Sequence, residues 1–340
     1  MDAGEKMVLM PLLKRARKVV VTCHISPDGD SVAAMAALST SLRLGRWDVL
    51  AVSPGPVPEV YRFVPGAEAI VTYPDAKDQS PEAVRVRQGI EEAEAIVCLD
   101  ASDLSRMGAV YEEHRAKFES VPVANIDHHP GNSLFGAVNV VDPSATAACE
   151  LLATLMEQEE LPITVPIATA LLVGIVADSL GFRIPTTSPR TLRVAASLME
   201  REASLSRISE KVFNTRSPRA LRLWGQVLSR TKVENGLVWS DITGDMLREC
   251  GATLEDADNL VDFIAGVPAA RGAFLFSEQD GQVKVSMRGS GELDVASLAR
   301  AFGGGGHILA AGCTLEGSMG EARERVLREA WSRLGVWKAS

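Results

Sequence analysis

The sequence predicts an α/β fold: a doubly wound, mostly parallel sheet in an N-terminal domain, followed by a smaller α+β C-terminal domain. Three observations carry this. Short runs of apolar, β-branched residues at 18–23, 49–52, 69–71, 95–99 and 121–126 alternate with helical stretches, the pattern of a parallel sheet covered on both faces. The length of 340 residues exceeds the size of about 250–300 at which single cores stop growing, so two domains are expected. Finally, three polar segments each follow one of the apolar runs directly: His24-Ile25-Ser26-Pro27-Asp28-Gly29-Asp30-Ser31, Asp100 after Leu99, and Asp127-His128-His129. On neighbouring parallel strands, all three would emerge at the sheet edge where open α/β folds place their ligands.

Residues 18–23 (KVVVTC) read as a buried strand, and 31–44 (SVAAMAALSTSLRL) as a helix that Gly45 stops, which opens a βαβ unit. Residues 145–157 and 166–176 read as two mainly buried helices, and the second delivers Asp178 as a fourth acidic candidate. From 201 to 222 the charges alternate in sign, as in an exposed helical connector. Domains are therefore expected at 1–200 and 223–340, joined by a linker at 201–222. Past the linker, strands are expected at 237–242, 272–277 and 283–287, then a helix at 294–302.

The hydrophobic fraction of 46% and charged fraction of 23% are those of an ordinary globular chain. Five cysteines (Cys23, Cys98, Cys149, Cys250, Cys313) form no C-x-x-C pair, which argues against a zinc ribbon or disulfide framework and fits a reducing cytoplasm. The opening residues 1–6 lack a signal-peptide profile, and no apolar run reaches membrane-spanning length. A net charge of −9 speaks against a broad basic face for long duplex nucleic acid, while short anionic substrates stay open.

Four of the five histidines, His24, His128, His129 and His307, lie in motif-like segments, and only His114 sits in a charged helical stretch. Asp28, Asp30, Asp100, Asp127 and Asp178 converging at strand ends would repel one another, so they need raised pKa values, water or cations. The nearby histidines favour cations. Mixed Asp/His sites without thiolate suit manganese or magnesium, with zinc or cobalt as further options, and a carboxylate bridging two ions gives the spacing of two-metal hydrolysis. Asp-Gly-Asp or Asp-His-His alone is an ordinary turn or surface tripeptide. Their ordered succession after strands is what makes the signal specific.

The run Gly303-Gly304-Gly305-Gly306-His307 follows a helix and precedes Ala310-Ala311-Gly312. It is neither a P-loop nor a dinucleotide fingerprint. Two readings stand: a flexible helix-capping loop, or a backbone nest whose N–H groups approach an anion, with His307 and Arg288 adding charge.

These motifs, in this order, resemble the DHH phosphoesterase superfamily, and within it the nanoRNase and pAp phosphatase group that carries a DHH-associated domain. The marks are His24…Asp28-Gly29-Asp30, Asp100, Asp127-His128-His129, Asp178 and the GGGGH…AAG segment. The resemblance implies one metal ion held by His24, Asp28 and Asp100, and a second by Asp30, Asp100, His128 and Asp178, with Asp100 as the bridge. It further implies that His129 faces the scissile phosphate, that Asp127 orients a histidine, and that Arg288 and His307 bind the distal phosphate or terminal nucleotide. Ser26 stands where relatives usually have Asn, and Ser179-Leu180 where they often have Thr-Gly. Neither departure removes an implied ligand.

The expected function is that of a cytoplasmic, manganese-dependent phosphodiesterase or phosphomonoesterase acting on very short single-stranded oligonucleotides. 3′-Phosphoadenosine 5′-phosphate (pAp) is a candidate second substrate. Two Mn2+ ions per chain are expected, with Mg2+ or Co2+ as alternatives, together with no membrane association and a candidate homodimer. The C-terminal domain is expected to close over the cleft and select short substrates. An aromatic fraction of 5% offers no evident base-stacking platform. Rival readings are a cyclic or linear dinucleotide phosphodiesterase, a RecJ-like exonuclease, a pyrophosphatase or polyphosphatase, and a metal-stabilised nucleotide sensor without turnover.

Overall fold

Five of the six strands in the first sheet are the apolar runs marked in the sequence: β1 (Lys18–Thr22), β2 (Asp48–Ser53), β3 (Ile70–Thr72), β4 (Ala95–Leu99) and β5 (Val123–Asp127). The computed structural model describes residues 8–214, 217–268, 270–279 and 281–336, so the opening segment 1–6 lies outside it. A sixth strand, β6 (Val138–Val141), was not apparent in the sequence because it is four residues long and half exposed. All pairings are parallel, in the order β3-β2-β1-β4-β5-β6. Every residue of β4 and β5 is buried. Along β1 and β4, Val19, Val21, Val97 and Leu99 enter one core while Val20, Ile96 and Cys98 enter the other. Burial on both faces is the reason these strands read as unbroken apolar runs.

The first core is closed by the helices Gly29–Leu44, Ala148–Gln158 and Val165–Asp178, and the opposite face by the helix Pro81–Glu91 and shorter turns. β1 pairs with β2 on one side and β4 on the other, so the strand order reverses between β1 and β4. The crevice outside the carboxyl ends of strands at such a switch point is the usual ligand position of open α/β sheets.

The chain divides into two compact units, Met1–Thr215 and Arg216–Ser340. The stretch 201–222, expected to be an exposed connector, is shared between them. Ile208 and Val212 are buried in the first core, and Ala220 is buried in the helix Pro218–Ser229 of the second unit. Apolar residues four apart turn inward here while the alternating charges face water.

In the second unit, β7 (Lys232–Glu234), β8 (Leu237–Ile242), β9 (Gly272–Gln279), β10 (Gln282–Gly289), β11 (Gly305–His307) and β12 (Ala310–Glu316) form a sheet in the order β11-β12-β10-β9-β8-β7. Among the described residues of this sheet, only β8 and β9 pair in parallel. The helices Val295–Arg300 and Met319–Arg333 cover one face, and Pro218–Ser229, Gly244–Cys250 and Leu260–Ala265 the other, giving the expected α+β unit. Among the described residues no helix is long and apolar enough to cross a membrane.

Candidate metal centre

The side chains at the switch point are held by backbone groups before they meet one another. Asp28 is the N-cap of the helix Gly29–Leu44: its Oδ1 accepts from the amides of Asp30 (3.1 Å) and Ser31 (3.0 Å), while its own amide donates to Ser31 Oγ (2.8 Å). This capping box starts the helix two residues earlier than the apolar pattern suggests. Asp28 Oδ2 is turned the other way and lies 3.6 Å from His24 Nε2. Asp30 accepts from the amides of Ala148 (2.5 Å) and Cys149 (3.0 Å), at the positive end of the helix Ala148–Gln158.

Two glycines make this convergence possible. A Cβ on Gly29 would lie 2.5 Å from Ala177 Cβ and 2.8 Å from the Tyr61 ring, so the helix Gly29–Leu44 can cross the end of Val165–Asp178 closely only without a side chain there. A Cβ on Gly174 would lie 2.3 Å from Cys149 Sγ and 2.7 Å from Asp30 Oδ1. Asp178, the last residue of its helix, is thereby brought to the same place as Asp30.

Asp100 follows β4 with a left-handed φ of 57°, a conformation that costs a non-glycine residue about 1–2 kcal/mol. Its amide still donates to Ile126 O (2.9 Å), which continues the ladder to β5. The buried carboxylate presents Oδ2 to His24 Nε2 and Oδ1 to His128 Nε2, each at 3.4 Å. His128 Nε2 is also 3.5 Å from Asp178 Oδ2. Asp127, fully buried at the end of β5, accepts from His129 Nδ1 (2.7 Å) and from Asn132 Nδ2 (2.6 Å).

Donor atoms thus gather in two principal triads, His24/Asp28/Asp100 and Asp30/His128/Asp178, each within 4.8 Å. A third grouping, Asp100/His128/His129, involves a histidine whose Nδ1 is already the donor to Asp127. The contacts of 3.4–3.6 Å are too long for hydrogen bonds. They lie at or slightly beyond the spacing of neighbouring ligands on one cation, which at bond lengths of about 2.1 Å sit roughly 3.0–3.4 Å apart. His24 Nδ1 and Asp100 Oδ1 are buried without a hydrogen-bond partner. Donor chemistry, spacing and orphaned atoms all fit divalent cations.

Protonation energetics agree. Burial opposes the His24 imidazolium, but Asp100 and Asp28 outweigh it and push its pKa up to about 10. His128 is likewise opposed by burial and pushed up to about 10 by Asp100, Asp178 and Asp30. Burial opposes the charge of Asp100, yet His128 and His24 hold it well below the usual carboxylate range. Burial and the Asp100 charge push Asp30 up to about 7, against the opposing pull of His128 and the Cys149 side chain, and burial with Asp30 raises Asp178 well above its ordinary value. Without cations, protons supply the missing positive charge.

The substrate candidates of the second unit are arranged differently from either sequence reading. Gly303 and Gly304 donate their amides to Arg300 O (3.1 Å) and Ala299 O (2.9 Å), so half of the glycine run closes a helix end. Gly305, Gly306 and His307 form β11, a strand where a loop was expected, because they pair with Gly312, Ala311 and Ala310 of β12. The run is therefore a cap followed by a hairpin arm and not an uninterrupted nest. Arg288 and His307 both register with Ala310, in one row on one sheet face. Arg288 is clamped by Asp262 through Nε (2.6 Å) and Nη2 (2.9 Å), which the sequence did not signal. His114, outside every motif, is buried and bonded to Tyr73 and Glu91.

Residues 18–175 match the DHH family N-terminal domain, and residues 248–335 the DHHA1 domain. A protein of Thermus thermophilus described as a bifunctional oligoribonuclease and PAP phosphatase NrnA is 33% identical over 338 residues, covering 97% of this chain and 96% of that one. The chain belongs to the DHH family. Another NrnA, from Bacillus subtilis, is 31% identical to this DHH protein over 194 residues, 56% of this chain and 61% of the relative. The crystal structure of an exopolyphosphatase-related protein from Bacteroides fragilis superposes with a TM-score of 0.86 at 26% identity, covering 96% of this chain and 94% of the other.

Sequence reasoning about this DHH protein passed over Asn132, which is bonded to Asp127, and the amides of Ala148 and Cys149, which hold Asp30. An asparagine three residues past a motif carries no pattern of its own. Backbone donors at a helix start that is distant in the chain leave no mark on residue type.

Proposed function

We propose that the protein is a cytoplasmic, metal-dependent phosphoesterase that hydrolyses very short single-stranded oligonucleotides and also removes a phosphate from pAp. The observation that carries this is Asp100: its two oxygens face different histidines, and each histidine belongs to a different triad. That is the arrangement of a carboxylate shared by two ions, on a chain similar to proteins described as oligoribonucleases and PAP phosphatases. His24, Asp28 and Asp100 would hold one Mn2+, and Asp30, Asp100, His128 and Asp178 the other, with Mg2+ or Co2+ able to substitute. When bound, such ions polarise phosphate oxygens and lower the pKa of water.

The chain's own residues supply position and proton control. Asp127 fixes the proton of His129 on Nδ1 and so sets the orientation of an imidazole beside Asp100. Asp28 and Asp30, locked to helix N-termini, present carboxylate oxygens without needing to reorganise. In the second unit, the row formed by Arg288 and His307 would bind a substrate phosphate, with Asp262 holding the guanidinium in place. The five cysteines are unpaired and buried, in keeping with a reducing compartment.

A manganese-supplemented assay offering a 5′-labelled RNA trimer, pAp and cyclic di-AMP side by side tests the proposal. Turnover of the trimer and of pAp is expected. Turnover of cyclic di-AMP alone would move the assignment to a cyclic dinucleotide phosphodiesterase. Metal binding with no turnover at all would leave a nucleotide sensor and refute hydrolysis.

A further inference from the structure

We infer that Asn132 is a positioning residue for His129, acting through the Asp127 carboxylate. The inference rests on the reading that His129 serves phosphate hydrolysis, and it adds a residue that no motif singles out. Asn132 uses all of its amide. Its Nδ2 donates to Asp127 Oδ2 (2.6 Å) and to Ala101 O (3.2 Å), while its Oδ1 accepts from Leu134 N (2.7 Å) and from Asn125 Nδ2 (3.0 Å). A backbone N–H can only donate, so the atom facing Leu134 is Oδ1, and Nδ2 must face the carboxylate. The orientation is therefore fixed by chemistry.

Asp127 is fully buried and its two oxygens have different tasks. Oδ1 accepts the His129 Nδ1 proton at 2.7 Å, and Oδ2 accepts from Asn132. With Oδ2 held, the carboxylate cannot swing about its Cβ–Cγ bond, and His129 keeps one tautomer and one ring plane. The same amide reaches Ala101, the residue after Asp100, so it ties the turn that carries Asp100 to the end of β5. Ser133 reinforces this link, since its amide and hydroxyl both donate to Ser102 O (2.9 and 3.2 Å). Removing the Nδ2 donor would leave a buried carboxylate oxygen one partner short and its imidazole free to change tautomer.

The test uses the full-length chain and the isosteric substitution Asn132→Asp, which keeps the acceptor toward Leu134 but turns an acceptor toward Asp127. With manganese and the RNA trimer, kcat is expected to fall about 10–100-fold at unchanged KM, the loss typical of a residue that supports a functional group without touching substrate. In metal-free protein, the 15N shifts of the His129 ring are expected to move away from those of the Nδ1–H tautomer. Asp127→Asn combined with Asn132→Asp should lose no more activity than Asp127→Asn alone. Should Asn132→Asp not fold, Asn132→Ala is read by the same measurements. Wild-type ring shifts in a folded variant, or fully additive losses in the double variant, would overturn the inference. If the wild type hydrolyses nothing, the proposed function fails, and the ring shifts still decide the role of Asn132.

Discussion

Replacing Gly174 with alanine sets two well-measured effects against each other at the candidate metal centre. In a helix interior the change should stabilise by about 1 kcal/mol, because glycine is the poorer helix former. Here the new Cβ would meet Cys149 Sγ at 2.3 Å, Asp30 Oδ1 at 2.7 Å and Cys149 Cβ at 2.9 Å. None of the three can retreat easily, since Cys149 is inside a packed helix and Asp30 is pinned by the amides of Ala148 and Cys149. Overpacking of this kind costs about 1–3 kcal/mol, with such short contacts at the upper end, so the net expectation is a loss of about 1–2 kcal/mol. For a unit of this size that lowers the melting temperature by roughly 2–8 °C. Displacing Asp30 should also weaken manganese binding about 10–100-fold. Adding Cys149→Ala removes the shortest contact but leaves the one with Asp30 Oδ1, so stability should recover and affinity should not. Thermal melts of metal-free protein and calorimetric manganese titration measure both. An unchanged or raised melting temperature together with wild-type affinity for Gly174→Ala would refute the close approach of the three helices around Asp30.

Chelating divalent ions should lower the melting temperature of the first unit, and manganese at 100 times its dissociation constant should add about 2.7 kcal/mol; identical melts with and without metal would contradict the clustering of charge. Ion binding at pH 7 should release protons, because the free site holds them on His24 and His128, both pushed up to about 10, and partly on Asp30, pushed up to about 7. Ligation needs the deprotonated forms, so affinity should weaken as pH falls, and heats that do not depend on buffer ionisation would refute this. Asp100→Asn should cost more than the about 10–100-fold loss of a supporting residue, since it alters a carboxylate whose two oxygens face a histidine of each triad, whereas His307→Ala should mainly raise KM. Equal losses of kcat at saturating substrate would contradict the distinction.

The parts of this fold that were legible in the sequence are those whose burial is symmetric or whose residue types are rare. β1, β4 and β5 lie between two cores, so their sequences are continuous apolar runs with a polar residue just past the end. His24, Asp100 and His128 could be located because histidines are few and stand directly after those runs. β6 and β11 escaped notice for the opposite reason: one is a half-exposed edge strand, and the other consists of two glycines and a histidine held by pairing with β12. Residues of low strand propensity become a strand when a neighbour supplies the ladder. The clamp of Arg288 by Asp262 joins residues 26 apart in the chain, and neither lies in a pattern that names the other.

The way each acid is held also indicates where positive charge is needed. Asp28 divides its oxygens between a helix cap and the site, Asp30 leans on the positive end of a second helix, and Asp127 is fixed by Asn132 and His129. Each of these charges is partly met by the scaffold as the chain folds. Asp100 is not. It is buried in a left-handed turn, its Oδ1 has no hydrogen-bond partner, and both oxygens look only toward imidazoles at 3.4 Å. The neighbouring acids cannot easily turn away from it, because the helix cap holds Asp28 and the helix end holds Asp30. On the proposed reading, this ring of donors around a carboxylate left short of partners is preorganised for cations, which it would bind with little further loss of conformational freedom.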